Sequence, residues 1–156
     1  MNLNIPLELS VKEAKTSSLK SEIKKQSIAV AMTSNGSRKM SAILLDKRNR
    51  IISTGVNSYE VTHPKQFYAA LIASKKFKTP GLDKKMFLHC ELNCLIRARK
   101  PGHKLVICRI GGHSGIELRN SFCCPICYLY IINNCPTIKE IHWSTNDQDF
   151  KYIKIR

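Results

Sequence analysis

Residues 88–100 read LHCELNCLIRARK, and residues 122–134 read FCCPICYLYIINN. In the first stretch, apolar residues recur at helical spacing until Pro101-Gly102 stops the pattern, which predicts a helix over residues 91–98. In the second, proline stands at the position where a helix begins, and we predict a helix over residues 125–133. Each stretch therefore brings a histidine or a cysteine to the start of a helix.

The flanking segments predict a mixed sheet covered by helices. Besides the two helices above, we predict these elements from periodicity and turn residues: a helix over 11–31, a hairpin of strands 40–45 and 50–56 with its turn at 46–49, a helix over 64–77, strands over 105–110 and 138–143 with a loop at 111–115 after the first, and an edge strand over 150–155. A hairpin followed by alternating helices and strands is typical of an α/β fold. A length of 156 residues fits one domain, 1–156.

Several classes of protein are disfavoured by composition. No apolar run approaches the eighteen or so residues of a membrane span, and the amino terminus lacks the basic and apolar regions of a signal peptide. We therefore expect a cytoplasmic protein without membrane contact, in the host cytoplasm if it is viral. In a reducing compartment, seven cysteines point to metal binding or chemistry more than to disulfides. Cys108 and Cys135 stand apart, and we interpret both as core residues.

The formal net charge is +15, and the basic residues recur along the whole chain. Such an excess attracts phosphate, either on a nucleotide or along a nucleic acid. A lysine-rich solvated surface that keeps the protein in solution is the alternative interpretation.

Four side chains of the two quoted stretches form a candidate catalytic zinc site. His89, Cys124 and Cys127 supply one imidazole and two thiolates, which leaves the fourth tetrahedral position open for water. Zinc lowers the pKa of such a water to about 7. Glu91 stands two residues after His89, close enough to take a proton from that water and pass it to a substrate.

H-x-E followed by C-x-x-C is the signature of zinc nucleobase deaminases. On His89-Cys90-Glu91 and Cys124-Pro125-Ile126-Cys127, the chain resembles the cytidine and deoxycytidylate deaminase superfamily, particularly small phage and viral deaminases of the deoxycytidylate type. The resemblance covers roughly residues 40–145.

The resemblance implies a cytidine-deaminase-like fold, a three-layer α/β/α arrangement with a mixed, about five-stranded sheet. It also implies a bound Zn²⁺ and a role for Asn57, because Gly55-Val56-Asn57 is similar to the family's G-x-N segment, whose asparagine contacts the substrate sugar. We expect a homo-oligomer, and we expect the long segment 58–88 to shape either substrate access or subunit contacts.

Extra thiols leave open which sulfurs bind the metal. The family places proline directly before the first motif cysteine, where this chain has Cys123, and alanine between the histidine and the glutamate, where it has Cys90. Use of Cys123 would give C-x-x-x-C spacing, which fits less well. A closed structural zinc site formed by Cys90, Cys94, Cys124 and Cys127 is a further alternative, but it leaves His89 and Glu91 unexplained.

Three functions compete on these observations. The first is deamination of cytosine in a free (deoxy)nucleotide, from deoxycytidylate to deoxyuridylate plus ammonia. The second is editing of cytosine or adenine in single-stranded DNA or RNA. The positive charge favours this function, but stacking of unpaired bases requires aromatic side chains among the basic ones, and the sequence shows no such aromatic-basic stripe. The third is a zinc-stabilised nucleic-acid-binding protein without catalysis, against which the intact Glu91 counts. We favour the nucleotide enzyme.

The other histidines (His63, His103, His113 and His142) are expected to do no chemistry. Trp143 is expected to pack in the core or at an edge of the sheet.

Overall fold

The computed structural model describes residues 14–85 and 87–155. Within these residues the chain forms seven strands, four α-helices and one short 3-10 helix at Leu82–Lys84. Their order is β1 (Lys15–Thr16), α1 (Ser21–Met32), β2 (Lys39–Leu45), β3 (Ile51–Val56), α2 (Pro64–Phe77), α3 (Cys90–Arg97), β4 (Lys104–Gly111), β5 (Glu117–Arg119), α4 (Pro125–Asn134), β6 (Glu140–Ser144) and β7 (Phe150–Lys154). No helix in the described part of the chain is long and apolar enough to cross a membrane.

The strands form one mixed sheet in the order β1-β7-β6-β4-β2-β3, with β5 paired to the end of β4. The pair β4–β6 is parallel, and the other pairs are antiparallel. The predicted α/β class and mixed sheet are therefore confirmed, but the expected number of about five strands is too low. The two additional strands are short: β1 pairs with β7, and β5 folds back on β4 after a turn at Gly112 and Gly115, both at positive φ.

The predicted amino-terminal helix over 11–31 is wrong in its first part. Residues 15–16 form β1, and the helix α1 begins only at Ser21 and ends at Met32. Extended pairing prevails there because Lys15 and Thr16 lie opposite Tyr152 and Lys151 of β7, a partner far along the chain. Residues 11–13 of the prediction lie outside the described residues. Strand β7 is also not the outermost strand, because β1 covers its free edge.

The hairpin of β2 and β3 and the helix predicted over 64–77 are confirmed. The hairpin turn is held by Asp46, whose carboxylate accepts hydrogen bonds from the backbone N–H groups of Arg48 and Arg50 at 2.8 and 2.9 Å. Helix α2 begins with Pro64 at its first turn, after His63 accepts the N–H of Lys65 at 3.1 Å. A proline there removes only a donor that would otherwise be unpaired.

Alternate residues of the central strands enter two separate buried clusters. Ala42 and Leu44 of β2 pack in the larger cluster with side chains of α2, α3 and α4, whereas Ile43 and Leu45 pack in the smaller one with side chains of α1. This alternation is the two-residue period of a strand whose faces are both covered. It places α3 and α4 together over one face of the sheet, and these two helices carry the candidate site.

Candidate metal centre and catalytic site

The two motif segments meet at the first turns of α3 and α4. His89 and Cys124 are the residues immediately before these helices, and both have extended backbone conformations. At such a position the side chain is free of the helical register, so His89 and Glu91 can face one point although they are two positions apart in the sequence. The positive end of each helix dipole also favours thiolates and carboxylates there.

The donor atoms of His89, Cys124 and Cys127 lie within 4.8 Å of one another, and this group could hold a metal ion. The Nδ1 atom of His89 lies 3.3 Å from Sγ of Cys124 and 3.4 Å from Sγ of Cys127. One imidazole nitrogen and two sulfurs form a soft donor set that suits zinc and leaves a fourth position open.

Cys124 is the most acidic thiol of the group. The Cys127 thiol beside it lowers the pKa of Cys124 well below its usual range, and His89 lowers it further, although burial opposes both. Burial alone would lower the pKa of His89, but the hydrogen bond and the charge of Cys124 outweigh it, so that this pKa is raised. These shifts favour a Cys124 thiolate beside His89, and a metal cation bound there would replace the proton on His89.

Glu91 lies beside the group and is 3% exposed. Its Oε2 atom accepts hydrogen bonds from the thiols of Cys90 at 3.3 Å and Cys127 at 3.7 Å. Burial raises the pKa of Glu91, and the charge of Cys124 raises it further, whereas His89 lowers it. A carboxyl group whose pKa is raised toward neutrality can both accept and return a proton.

The other nearby thiols do not join the metal-binding group, which among the described residues contains only His89, Cys124 and Cys127. The Cys94 thiol donates to the carbonyl of Ser53 at 3.4 Å, and burial raises its pKa to about 12. Burial also raises the pKa values of Cys90 and Cys123 well above their usual range. Cys94 thus faces Ser53, and the Cys90 and Cys123 thiols interact with Glu91, so these thiols do not build the closed four-sulfur site.

A cavity of about 420 Å³ opens at this candidate metal-binding group. His89, Glu91 and Cys124 line its floor. Its wall combines three cations with three aromatic rings, namely Arg38, Lys84, Lys85, Tyr59, Phe87 and Phe122. These six residues come from four separate segments, so their shared place at the cavity is not visible in the sequence. Phe122 is supported by Trp143, whose buried ring lies 4.8 Å away between centroids.

Asn57 lines the same cavity, but its amide is engaged with the protein. The Oδ1 atom accepts the N–H of Met40 at 3.0 Å and the hydroxyl of Ser34 at 2.8 Å. The Nδ2 group donates to the carbonyl of Arg38 at 2.6 Å, which leaves one of its two N–H groups for another partner. Asn57 therefore anchors the loop that carries Arg38, besides standing at the cavity wall.

Gly55 has a packing role that the motif alone does not explain. A Cβ atom at this position would lie 2.4 Å from the backbone nitrogen of Cys94 and 2.7 Å from the carbonyl oxygen of Cys90. Strand β3 and helix α3 thus touch backbone to backbone at Gly55. This contact sets the depth at which α3 presents Glu91.

Gln66 is a site residue that the sequence interpretation missed. It is fully buried on α2, where its Oε1 atom accepts the backbone N–H of His89 at 3.1 Å and its Nε2 group approaches the carbonyl of Lys85 at 3.5 Å. A buried amide on the apolar side of a helix needs such partners. Gln66 therefore ties the segment 85–89 to α2 and fixes the backbone of His89.

The remaining histidines stay away from the donor group. His63 caps α2, and His142 is buried between Ser17 and Glu140.

Comparisons with known proteins identify no relative, since no protein-family model and no curated protein matches the chain. Its function is inferred from the residues of the site.

Proposed function

We propose that the protein is a zinc-dependent hydrolase that deaminates the cytosine base of a free (deoxy)nucleotide, converting deoxycytidylate to deoxyuridylate and ammonia. The observation that carries the proposal is the buried Glu91 carboxyl beside the donor group of His89, Cys124 and Cys127, at a cavity that Glu91, His89 and Cys124 line. Membership of the cytidine and deoxycytidylate deaminase superfamily, with its three-layer α/β/α arrangement, is part of this proposal. Its support is the motif spacing and the two buried clusters formed by alternate strand residues.

His89, Cys124 and Cys127 would hold the zinc ion. Their chemistry fits this metal, because thiolates and imidazole are preferred zinc ligands and three protein ligands are typical of a catalytic site. When bound, zinc supplies Lewis-acid activation that makes a water molecule a nucleophile near neutral pH.

Glu91 moves the protons. Its carboxylate accepts a proton from the attacking water and delivers it to the ring nitrogen next to the reacting carbon. The same carboxyl then carries the second proton to the departing amine, so that water and the amino base yield the keto base and ammonia. The raised pKa of Glu91, which follows from burial and from the charge of Cys124, eases the return of the proton.

The cavity wall supports a nucleotide substrate. Arg38, Lys84 and Lys85 are exposed cations that can accept the phosphate. Phe87 and Phe122 offer apolar ring surface to a planar base. Among the described residues that line the cavity, Glu91 is the one acid.

A polynucleotide substrate is the second candidate, and one observation favours it. Tyr59 and Phe87 are 45% and 47% exposed at the cavity wall, next to Lys84 and Lys85. Exposed rings among cations are the elements with which proteins bind single strands. In that case the flanking nucleotides, and not only the target base, would stack at the mouth of the cavity.

One assay separates the candidates. The zinc-loaded protein is incubated with cytidine, deoxycytidine, their monophosphates and triphosphates, and cytosine- and adenine-containing single-stranded oligonucleotides, and ammonia release is measured for each. We expect turnover of a free cytosine nucleotide, abolished in Glu91→Gln and retained in Glu22→Gln, a matched exposed acid on α1. Turnover of an oligonucleotide with none of any mononucleotide would establish the second candidate instead. Absence of turnover on every substrate, with zinc bound, would contradict the deaminase proposal.

Homo-oligomer formation stays a prediction, which a measurement of molecular mass in solution would check.

A further inference from the structure

Two adjacent cavities lie at the opposite ends of the helices that carry the site. One, of about 410 Å³, is lined by the ends of α3 and α4, and the other, of about 550 Å³, by the β2–β3 turn and the segment before β4. They share Lys100, Pro101, Gly102 and Thr137, and we call them together the far groove. Because α3 has 8 residues and α4 has 10, about 12–15 Å of helix separates the far groove from the metal-binding group.

The far groove is strongly basic. Lys47, Arg48, Arg50 and Lys100 line the larger cavity, and Arg99 lines the smaller one. Asp46 is the one acid among the described lining residues, and Arg50 already neutralises it at 2.8 Å. Hydrogen bonds from the backbone and side chain of Arg50 hold the pKa of Asp46 below its usual value, so this acid stays charged and paired. In the described part of the chain, Lys47, Arg48, Arg99 and Lys100 form no ion pair.

The smaller cavity differs in character from the larger one. Its wall is built from apolar side chains such as Leu44, Leu95 and Ile138, together with the half-buried ring of Tyr130. A space of this size can take one unstacked base, while the neighbouring cations take the phosphates on either side of it. A phosphate track next to an aromatic pocket is the combination that binds single strands without sequence preference.

From these features we infer that the far groove is a second, non-catalytic binding site for single-stranded nucleic acid, which holds phosphodiester groups on Lys47, Arg48 and Lys100 and one base against Tyr130. None of its lining residues is shared with the cavity at Glu91. The site is therefore independent of the proposed catalytic function. It accounts for part of the +15 charge that the cavity at the metal-binding group leaves unused.

Binding of a labelled oligothymidylate of about 16 nucleotides to the full, zinc-loaded chain tests this inference by fluorescence anisotropy. Thymine has no exocyclic amine, so the probe cannot be deaminated. Each phosphate contact to a single strand contributes about −0.7 to the slope of log K against log salt. The variant Lys47→Ala/Arg48→Ala/Lys100→Ala should therefore bind about 100-fold more weakly at about 0.1 M salt, with a slope shallower by about 2.

Matched variants locate the effect. Lys75→Ala/Lys76→Ala/Lys78→Ala removes the same charge at the end of α2 and should change the affinity little. Tyr130→Leu should weaken binding about tenfold through lost stacking while leaving the salt slope unchanged. If the triple variant unfolds, as judged by its thermal transition, the exposed single change Lys100→Glu carries the test.

Three results would overturn the inference. One is an equal loss of affinity in the α2 control, which would mean non-specific attraction. Another is a loss of oligothymidylate affinity in Lys84→Ala/Lys85→Ala but not in the triple variant of the far groove, which would place the strand at the catalytic cavity. The last is tighter binding of a duplex of the same length, or of a nucleoside triphosphate, than of the single strand.

Discussion

The Sγ atom of Cys124 lies 3.3 Å from the Nδ1 atom of His89, although 35 residues separate them in the chain. Each residue stands immediately before a helix, and the two helices pack over the same face of the sheet. The contact therefore depends on how α3 and α4 are placed by β3 and β4. The neighbouring Cys123 is one residue away, but its thiol interacts with Glu91 and is outside the donor group.

We expect one zinc ion per chain, bound by His89, Cys124 and Cys127. Elemental analysis after dialysis should show that Cys124→Ala and Cys127→Ala lose the metal, because two ligands hold zinc far less tightly than three. Cys123→Ala should keep it, since Cys123 is outside the donor group. Zinc retained by Cys124→Ala and lost by Cys123→Ala would move the ligand assignment to Cys123.

Replacing Glu91 by glutamine should abolish turnover without loss of fold or metal. Glutamine preserves shape but cannot carry a proton, and general acid–base catalysis contributes about 10²–10⁴-fold. Steady-state kinetics on the substrate identified by ammonia release, together with zinc analysis and a thermal transition, checks this expectation. A rate within a few-fold of the wild type would remove Glu91 from the mechanism.

Gly55→Ala should destabilise the protein by about 1–3 kcal/mol, the usual cost of overpacking. The added methyl group would meet the backbone of α3 at 2.4 Å, which no side-chain rotation can relieve. Urea unfolding measures the change. The control is Gly111→Ala, where the nearest atom would be 3.7 Å away on the flexible side chain of Arg119, and there stability should change little.

His142 should make stability depend on pH. It is buried, with Nδ1 2.8 Å from the hydroxyl of Ser17 and Nε2 2.8 Å from the carboxylate of Glu140, and Lys104 lies 3.9 Å from that carboxylate. Burial lowers the pKa of His142, although Glu140 opposes this, so the unfolded chain binds the proton more readily than the folded one. The stability that neutral His142 contributes is therefore fully present above the unfolded pKa of about 6.5 and is lost as the pH falls below it.

Comparison with His142→Gln isolates this effect, because wild type and variant share every other titrating group, the metal ligands included. Urea unfolding between about pH 7.5 and pH 5.5 measures the free energy of unfolding of both proteins. The difference in this free energy between wild type and His142→Gln should become smaller as the pH falls. A difference that stays constant over this range would mean that His142 keeps its ordinary pKa in the folded protein.

Salt should separate catalysis from strand binding. A mononucleotide presents few charges, so its KM should change only modestly between low and moderate salt. Oligonucleotide affinity should fall steeply over the same range, because counterions are released from several phosphates. We therefore expect salt-sensitive oligonucleotide binding without matching turnover. Fast deamination of an oligonucleotide would contradict this expectation.

Much of the fold could be predicted because local signals were strong. Pro64 at the start of α2, the apolar face of α3 and the Asp46 turn each act within a few residues, and each appears as expected. Strand β1 could not be predicted in this way, because Lys15 and Thr16 are extended only through their pairing with β7. Local propensity carries no information about a partner that lies more than a hundred residues away.

The candidate site divides in the same manner. The two motifs could be recognised from the sequence. His89 and Glu91 lie within one helical turn of each other, and so do Cys124 and Cys127. Gln66 was not, because a glutamine in an amphipathic helix looks like any solvated residue until the backbone of His89 is placed against it. The aromatic and basic residues of the cavity wall could not be predicted either, because only the tertiary fold brings them together.

The pairing of β1 with β7 also has a consequence for synthesis on the ribosome. Lys15 leaves the exit tunnel long before Tyr152, its partner across the sheet, has been translated. Cys127, in contrast, precedes β6 and β7, so all three donor residues are synthesised before the strands that complete the sheet. We therefore expect β1 to dock among the last events of folding, after every residue of the donor group has been synthesised.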